Sequence, residues 1–161
     1  MKIEFEIVLV EHGRGGALYS VHYMGEEATE LDKFLECKEV TSCEDFEPLT
    51  ARLNDMVDYL GFRSQYFKIE EGSYHDSITA LHYDNGPLRL YCLRRSSVLL
   101  IAGYGGPKYT RTYQENQVLN DAVDKLKIID ELLDKRQKTG EISINNHTGA
   151  LEGNLIFTLD D

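Results

Sequence analysis

The sequence predicts an α+β fold in which an antiparallel β-meander packs against two helices from the first half of the chain and one long helix from the second half. Several stretches alternate apolar and polar residues with a period of two, which is typical of strands. Three others repeat apolar residues every three or four positions, which is typical of amphipathic helices. With 161 residues, of which 42% are hydrophobic, the whole chain, 1–161, is predicted to form a single domain.

The N-terminus is predicted to form a β-hairpin. The stretch "KIEFEIVLV" alternates charged and apolar residues, the stretch "EHGRGG" is a glycine-rich turn, and "ALYSVHYM" is the second strand. Gly13, Gly15 and Gly16 would also suit a phosphate-binding loop, but no Lys-Ser or Lys-Thr follows and no helix begins there. The pattern therefore favours a hairpin turn.

Two helices are predicted next. The first covers about 29–39, with Thr29 as its N-cap and Asp32 three residues on. The second runs from a cap at Ser42 or Asp45 to Gly61, which supplies the stop. Its apolar residues recur at helical spacing and predict one buried face: Phe46, Leu49, Leu53, Met56 and Leu60.

The second half begins with the predicted meander. Its strands are expected near 65–69, 77–83, 87–94 and 97–104, with turns at Asp84–Pro87 and Arg95–Ser97 between the last three.

A long helix should follow the meander and end at Gly140. Its apolar stripe comprises Leu119, Ala122, Leu126, Ile129 and Leu133. The tail reads as a hairpin around Asn145–Gly149.

Charge is distributed unevenly. The net charge is −11, and residues 1–87 carry 7 Lys or Arg against 18 Asp or Glu, whereas residues 88–138 carry 10 against 6. No carboxylate occurs between Asp84 and Glu115, while five cations do. An acidic protein repels polyanions through its own field, so this window predicts a local anion-binding site.

Other function classes are excluded by simple features. No apolar run approaches the length of a membrane span, and the N-terminus lacks the pattern of a signal peptide, so a cytoplasmic protein without membrane contact is expected. The three cysteines have no metal-ligand or CxxC spacing and are expected to be reduced thiols. His75-Asp76 and His82-x-Asp84 are weak metal patterns, so neither a metal nor a cofactor is predicted.

The cationic window supplies the candidate site. On a strand, Arg89, Tyr91 and Leu93 share one face, opposite an apolar face. The loop "GYGGPKYTRTY" leads into the long helix, whose N-terminus attracts anions. Tyrosines beside its cations can stack on unpaired bases. A solvent-facing Arg, an ordinary strand-to-helix connection and half-buried tyrosines remain the structural alternatives.

This order of elements resembles the RelE/ParE toxin superfamily, particularly its HigB-like branch. The pattern is an Arg on a strand, a turn, an apolar strand, a basic loop and a helix opening with Ala, here Arg89, 95–97, 98–102, 105–111 and the helix containing Ala122. The match covers a core of about 30–127 and is firmest over 87–123, which leaves the N-terminal hairpin and the C-terminal hairpin as extensions.

The resemblance implies a RelE-like fold and the toxin of a toxin–antitoxin pair, a metal-independent endoribonuclease that acts on mRNA at the ribosome and is bound by an antitoxin protein. Among the candidate catalytic residues Arg89, Lys108, Arg111 and Tyr113, it gives phosphate stabilisation to Arg89, a second cationic role to Lys108 or Arg111, and proton transfer or base stacking to Tyr113. The cations and tyrosines of the window itself predict RNA binding by Tyr91, Arg94, Arg95 and Tyr109. The strongly acidic composition favours an alternative, a non-catalytic interaction protein on the same fold that binds an acidic protein partner.

Overall fold

The protein is described by a computed structural model that covers residues 2–68 and 77–160. The predicted α+β class is confirmed. The strands are β1 Lys2–Gly13, β2 Gly16–Tyr23, β3 Phe67–Lys68, β4 Ile78–Leu81, β5 Leu88–Ser96, β6 Leu99–Pro107, β7 Ile142–Ile144, β8 Leu151–Gly153 and β9 Ile156–Asp160. The helices are α1 Glu30–Glu36, α2 Lys38–Thr41, α3 Phe46–Asp55 and α4 Gln117–Thr139.

Within the described residues, the main sheet has seven strands in the order β3-β4-β5-β6-β2-β1-β9. Strands β3 to β6 lie in chain order, each antiparallel to the next. Strand β6, however, pairs parallel with β2. The sheet is therefore mixed, whereas the sequence predicts an antiparallel one, and the N-terminal hairpin continues this sheet on the far side of β6.

Both faces of the sheet are covered. Helices α1 to α3 close one face over a cluster that includes Phe34 and Leu49 from the helices and Leu90 from the sheet. Helix α4 closes the other face over a second cluster, to which it contributes Leu126 and Leu133. The core thus consists of two apolar layers separated by the sheet.

The predicted helix signals are largely confirmed. Thr29 caps α1 by accepting a hydrogen bond from the Asp32 N–H, and Gly140 ends α4 in the left-handed conformation, with φ 84°. The predicted 29–39 helix breaks at Cys37, so α1 and α2 are separate. Helix α3 passes into a π-helical turn at Met56–Leu60 and ends at Gly61.

The glycine-rich turn packs against this π-helical turn. Gly15 donates a backbone hydrogen bond to the Val57 carbonyl at 2.8 Å. A Cβ at Gly15 would lie 1.8 Å from the Met56 carbonyl oxygen, so only glycine permits this approach. The glycines there serve close backbone packing, which agrees with the predicted hairpin turn.

The C-terminal hairpin is formed by β7 and β8, as predicted. Strand β9 is an addition that the sequence patterns did not indicate, and it pairs antiparallel with β1 at one edge of the main sheet. Within 2–68 and 77–160, no helix is both long and apolar enough to cross a membrane.

Candidate functional site

Arg89 lies at the end of the sheet where β5 begins and β6 ends. Its side chain is buried, with 8% of the residue exposed. The guanidinium Nη1 donates to the carbonyls of Gly86 at 2.7 Å and Leu88 at 3.0 Å. Arg89 shares a strand face with Tyr91 and Leu93 as predicted, but α4 covers that face. The structural alternative in which Arg89 faces solvent is therefore wrong.

The basic loop begins at the same end of the sheet. Gly106 is the register partner of Arg89 on the neighbouring strand. Lys108 continues this pairing, because its N–H donates to the Pro87 carbonyl at 2.8 Å. The structure therefore brings the turn that holds the Arg89 guanidinium next to the backbone that carries Lys108.

Two residues of the loop face solvent. Tyr109 is 78% exposed, and Arg111 is also exposed. Lys108 is half-buried. These side chains are the accessible part of the predicted cationic and aromatic set.

The other two predicted tyrosines lie in the core. Tyr91 is fully buried and Tyr113 is 1% exposed. Their rings meet edge to face, with centroids 6.0 Å apart, between the sheet and α4. Neither ring presents a face on which a base can stack, whereas the cationic window predicts RNA binding by Tyr91 and the resemblance allows base stacking by Tyr113.

Arg94 and Arg95 are held by the protein itself. Arg94 donates through Nε to the Phe62 carbonyl at 2.5 Å. The Arg95 guanidinium contacts the carboxylates of Asp130 at 2.5 Å and Asp134 at 2.7 Å, both on α4. Both guanidinium groups therefore have partners within the fold, in contrast to the RNA-binding role predicted for Arg94 and Arg95.

The N-terminus of α4 is capped by neighbouring side chains. Asn116 accepts a hydrogen bond from the Leu119 N–H. In the preceding 3₁₀ turn, Tyr113–Glu115, the side chains of Thr112 and Glu115 form a capping box. The expected anion attraction of this helix end is thus met in part by the chain's own oxygen atoms.

A second group of cations and rings lies around His82. The Arg52 guanidinium stacks on two rings, 4.8 Å from the centre of Tyr66 and 4.6 Å from that of Tyr83. Burial, together with the charges of Lys68, Arg89 and Arg52, lowers the pKa of His82. Sequence analysis noted His82 but missed Arg52, because Arg52 on α3 and His82, which follows β4, meet only in the folded chain.

A titration should detect this group. We expect NMR to give His82 a pKa below the ordinary 6.5, because burial and cations disfavour the imidazolium. The folded state then favours the neutral ring. The contribution of His82 to the free energy of unfolding is complete above pH 6.5, the ordinary pKa of the unfolded state. It is lost as the pH falls through the lower pKa of the folded state.

Lys68→Gln should raise the pKa of His82 by removing one cation, whereas Lys138→Gln, in the last turn of α4, should leave it unchanged. A pKa at or above 6.5 in the unmodified protein would contradict the arrangement.

Two cysteines that flank α2 lie close to tyrosines. Burial raises the pKa of Tyr104 to about 12, and the neighbouring Cys37 thiol adds to this shift. Burial and the Asp45 carboxylate raise the pKa of Cys43, whereas Tyr109 lowers it. The Cys43 Sγ donates to the Glu39 carbonyl at 3.3 Å, and Cys37, Cys43 and Cys92 are free cysteines.

In the two described ranges, no three His, Cys, Asp or Glu side chains group as a metal ion would require. His75-Asp76, one of the weak metal patterns, lies outside the described residues. Comparison of the chain with protein-family models, curated proteins and solved structures gave no match.

Proposed function

We propose that the protein is a toxin-like component of a toxin–antitoxin pair on a RelE-like fold and that it cleaves mRNA without a metal ion. The observation that carries this proposal is the meeting of the Arg89 turn and the Lys108 backbone at one end of the sheet. Residues 85–114, which supply β5, β6 and the basic loop at this end, carry five cations and no carboxylate. Cations on such a segment suit an RNA phosphate, although the carboxylates of Glu44, Asp45 and Asp84 lie nearby.

The roles follow from accessibility. Lys108 and Arg111 contact the phosphate and stabilise the charge that develops on its oxygens during attack by the adjacent ribose 2′-OH. Arg89, buried on the strand that pairs with the one leading to Lys108, adds positive potential while holding the turn through Gly86 and Leu88. Tyr109, the most exposed ring of the loop, stacks on a base.

Proton transfer falls to His82 in this proposal. The reaction moves the 2′-OH proton to a base, forms a bond from O2′ to phosphorus and breaks the bond to the departing 5′-oxygen. That oxygen takes a proton from water, and the product is a 2′,3′-cyclic phosphate. A neutral imidazole near Arg89 suits the first of these proton transfers. Tyr113, with 1% of its surface exposed, takes no part in this assignment.

The test is induced expression with matched charge variants. The unmodified protein should arrest growth and cut translated mRNA, as read by primer extension. Lys108→Ala combined with Arg111→Ala should reduce cleavage by about 100-fold or more while circular dichroism and melting temperature stay the same. Lys135→Ala combined with Lys138→Ala removes the same charge from the end of α4 and should leave cleavage intact.

A second candidate is a non-catalytic interaction protein on the same fold that binds an acidic protein segment through the same loop. The burial of Arg89 and Tyr113 favours it, because two of the four residues assigned to catalysis are covered by the fold. If induced expression neither slows growth nor produces cleavage in translated mRNA, the nuclease proposal fails and this binding role replaces it.

A further inference from the structure

A cavity of about 500 Å³ opens beside the basic loop. It lies between the segment that precedes α3, the turn joining β4 to β5, and Tyr109. Two aromatic rings, Tyr83 and Tyr109, and two prolines, Pro48 and Pro87, contribute to its lining. A volume of this size accommodates a small planar ligand, and aromatic rings favour stacking on it.

The cavity contains a buried carboxylate with an unused acceptor. Asp45 lines it and is 7% exposed. Its Oδ2 accepts a hydrogen bond from the Leu88 N–H at 3.0 Å, whereas its Oδ1 has no hydrogen-bond partner in the described part of the chain. A buried acceptor without a partner is costly, so a ligand N–H that reached Asp45 would remove that cost.

Negative side chains line the cavity, whereas positive side chains lie behind its wall. The carboxylates of Glu44, Asp45 and Asp84 belong to its lining. Cations adjoin its wall from outside, since Arg52 stacks on Tyr83 and Arg89 donates to the Gly86 carbonyl. An occupant with N–H donors on a planar ring and a negative charge at its edge matches this pattern. An arginine side chain also presents planar N–H donors to these carboxylates, so it is the competing occupant that the experiment below tests.

We propose that this cavity binds a nucleobase of single-stranded RNA, with guanine preferred, between Tyr83 and Tyr109. Guanine presents adjacent N1–H and N2–H groups on the edge that is free in a single strand, and one carboxylate can accept from both. Uracil has one such donor. The phosphates on either side would reach Lys108 and Arg111, so this inference rests on the proposed function and assigns it a base preference.

The experiment measures binding of two 2′-O-methyl hexanucleotides by fluorescence anisotropy, one all uridine and one with a single central guanosine. Blocking the 2′-OH prevents cleavage during the measurement. The guanosine oligonucleotide should bind about 10-fold more tightly. Asp45→Asn should remove this preference. The amide has one acceptor oxygen, and its NH₂ group would face one of the two guanine N–H donors.

Tyr109→Ala provides an independent variant, since its exposed ring does not support the core. It should remove the preference and leave the melting temperature unchanged. Glu47→Gln, which removes an exposed carboxylate in the first turn of α3, is the matched control and should retain the preference.

Binding of guanosine 5′-monophosphate, followed by NMR, separates this inference from the proposed function. If the nucleotide shifts the signals of Tyr83 and Tyr109 but neither oligonucleotide binds, the pocket stands and the RNA role fails. Equal binding of both oligonucleotides, unchanged in Tyr109→Ala, overturns the pocket and leaves the RNA role. Displacement of the nucleotide by N-acetylarginine amide, which would then be the better ligand, overturns the pocket in favour of a basic peptide.

Discussion

Replacing Arg95 with alanine is expected to lower the free energy of unfolding by about 3–5 kcal/mol. The Arg95 side chain is 9% exposed and that of Asp130 is 5% exposed, with 2.5 Å between the guanidinium and carboxylate. Removing the guanidinium leaves the Asp130 charge in a poorly solvated position, although Ser77 still donates to it at 2.8 Å. Without the ion pair, the desolvation of the Asp130 carboxylate is no longer offset, which raises the free energy of the folded state. Urea denaturation followed by circular dichroism measures the loss.

Arg111→Ala is the matched control, because it removes an equal charge from an exposed position on the basic loop and should change stability by less than about 0.5 kcal/mol. The paired replacement Arg95→Met with Asp130→Leu should recover most of the stability, since apolar pairs of similar volume commonly substitute for buried ion pairs. If Arg95→Ala folds normally but binds RNA poorly, Arg95 acts on RNA and the structural role assigned to it is wrong.

Local patterns account for much of the fold. The period of two in β5 placed Arg89, Tyr91 and Leu93 on one face and Leu88, Leu90 and Cys92 on the other. The two core clusters confirm this division for the five apolar and aromatic residues. Arg89 belongs to neither cluster, and strand alternation places it on the side of Tyr91 and Leu93. Thr29 and Gly140 marked helix ends correctly, because capping depends on residues close in the chain. Such features need no knowledge of the tertiary structure.

Contacts between distant segments account for what the sequence did not indicate. The parallel pairing of β2 with β6 joins residues about 80 positions apart, such as Ala17 and Leu99. Strand β9 returns to pair with β1 from the opposite end of the chain. No periodicity encodes either pairing, so the predicted antiparallel sheet lacked its parallel step.

The candidate site shows the same limit. An Arg and a Tyr on one strand face are a common solvent-facing pattern. In the fold, however, the 3₁₀ turn before α4 brings Tyr113 over that face, and α4 brings the acids Asp130 and Asp134. The basic loop was predictable, because its cations, Lys108 and Arg111, lie three positions apart in one short segment. The cavity beside it was not, because Asp45, Tyr83 and Tyr109 come from three separate segments.

Replacement of the buried Tyr113 is the second change expected to lower stability strongly. Tyr113→Ala should lower the free energy of unfolding by about 3–5 kcal/mol, because the ring fills the space between Tyr91 and α4. Tyr113→Phe should behave differently. The buried Oη has no hydrogen-bond partner among the residues that the structure describes, so its removal should leave stability unchanged or raise it by about 1 kcal/mol.

The pair of variants separates packing from chemistry at this residue. A tyrosine that transfers a proton needs its hydroxyl, so Tyr113→Phe would then abolish cleavage in a fully stable protein. A tyrosine that packs needs only its ring, so Tyr113→Phe would cleave like the unmodified protein. With 1% of Tyr113 exposed, we expect the second result. Loss of cleavage in a folded Tyr113→Phe protein would instead require α4 to move away from the sheet during the reaction, which would expose Tyr113 together with Arg89.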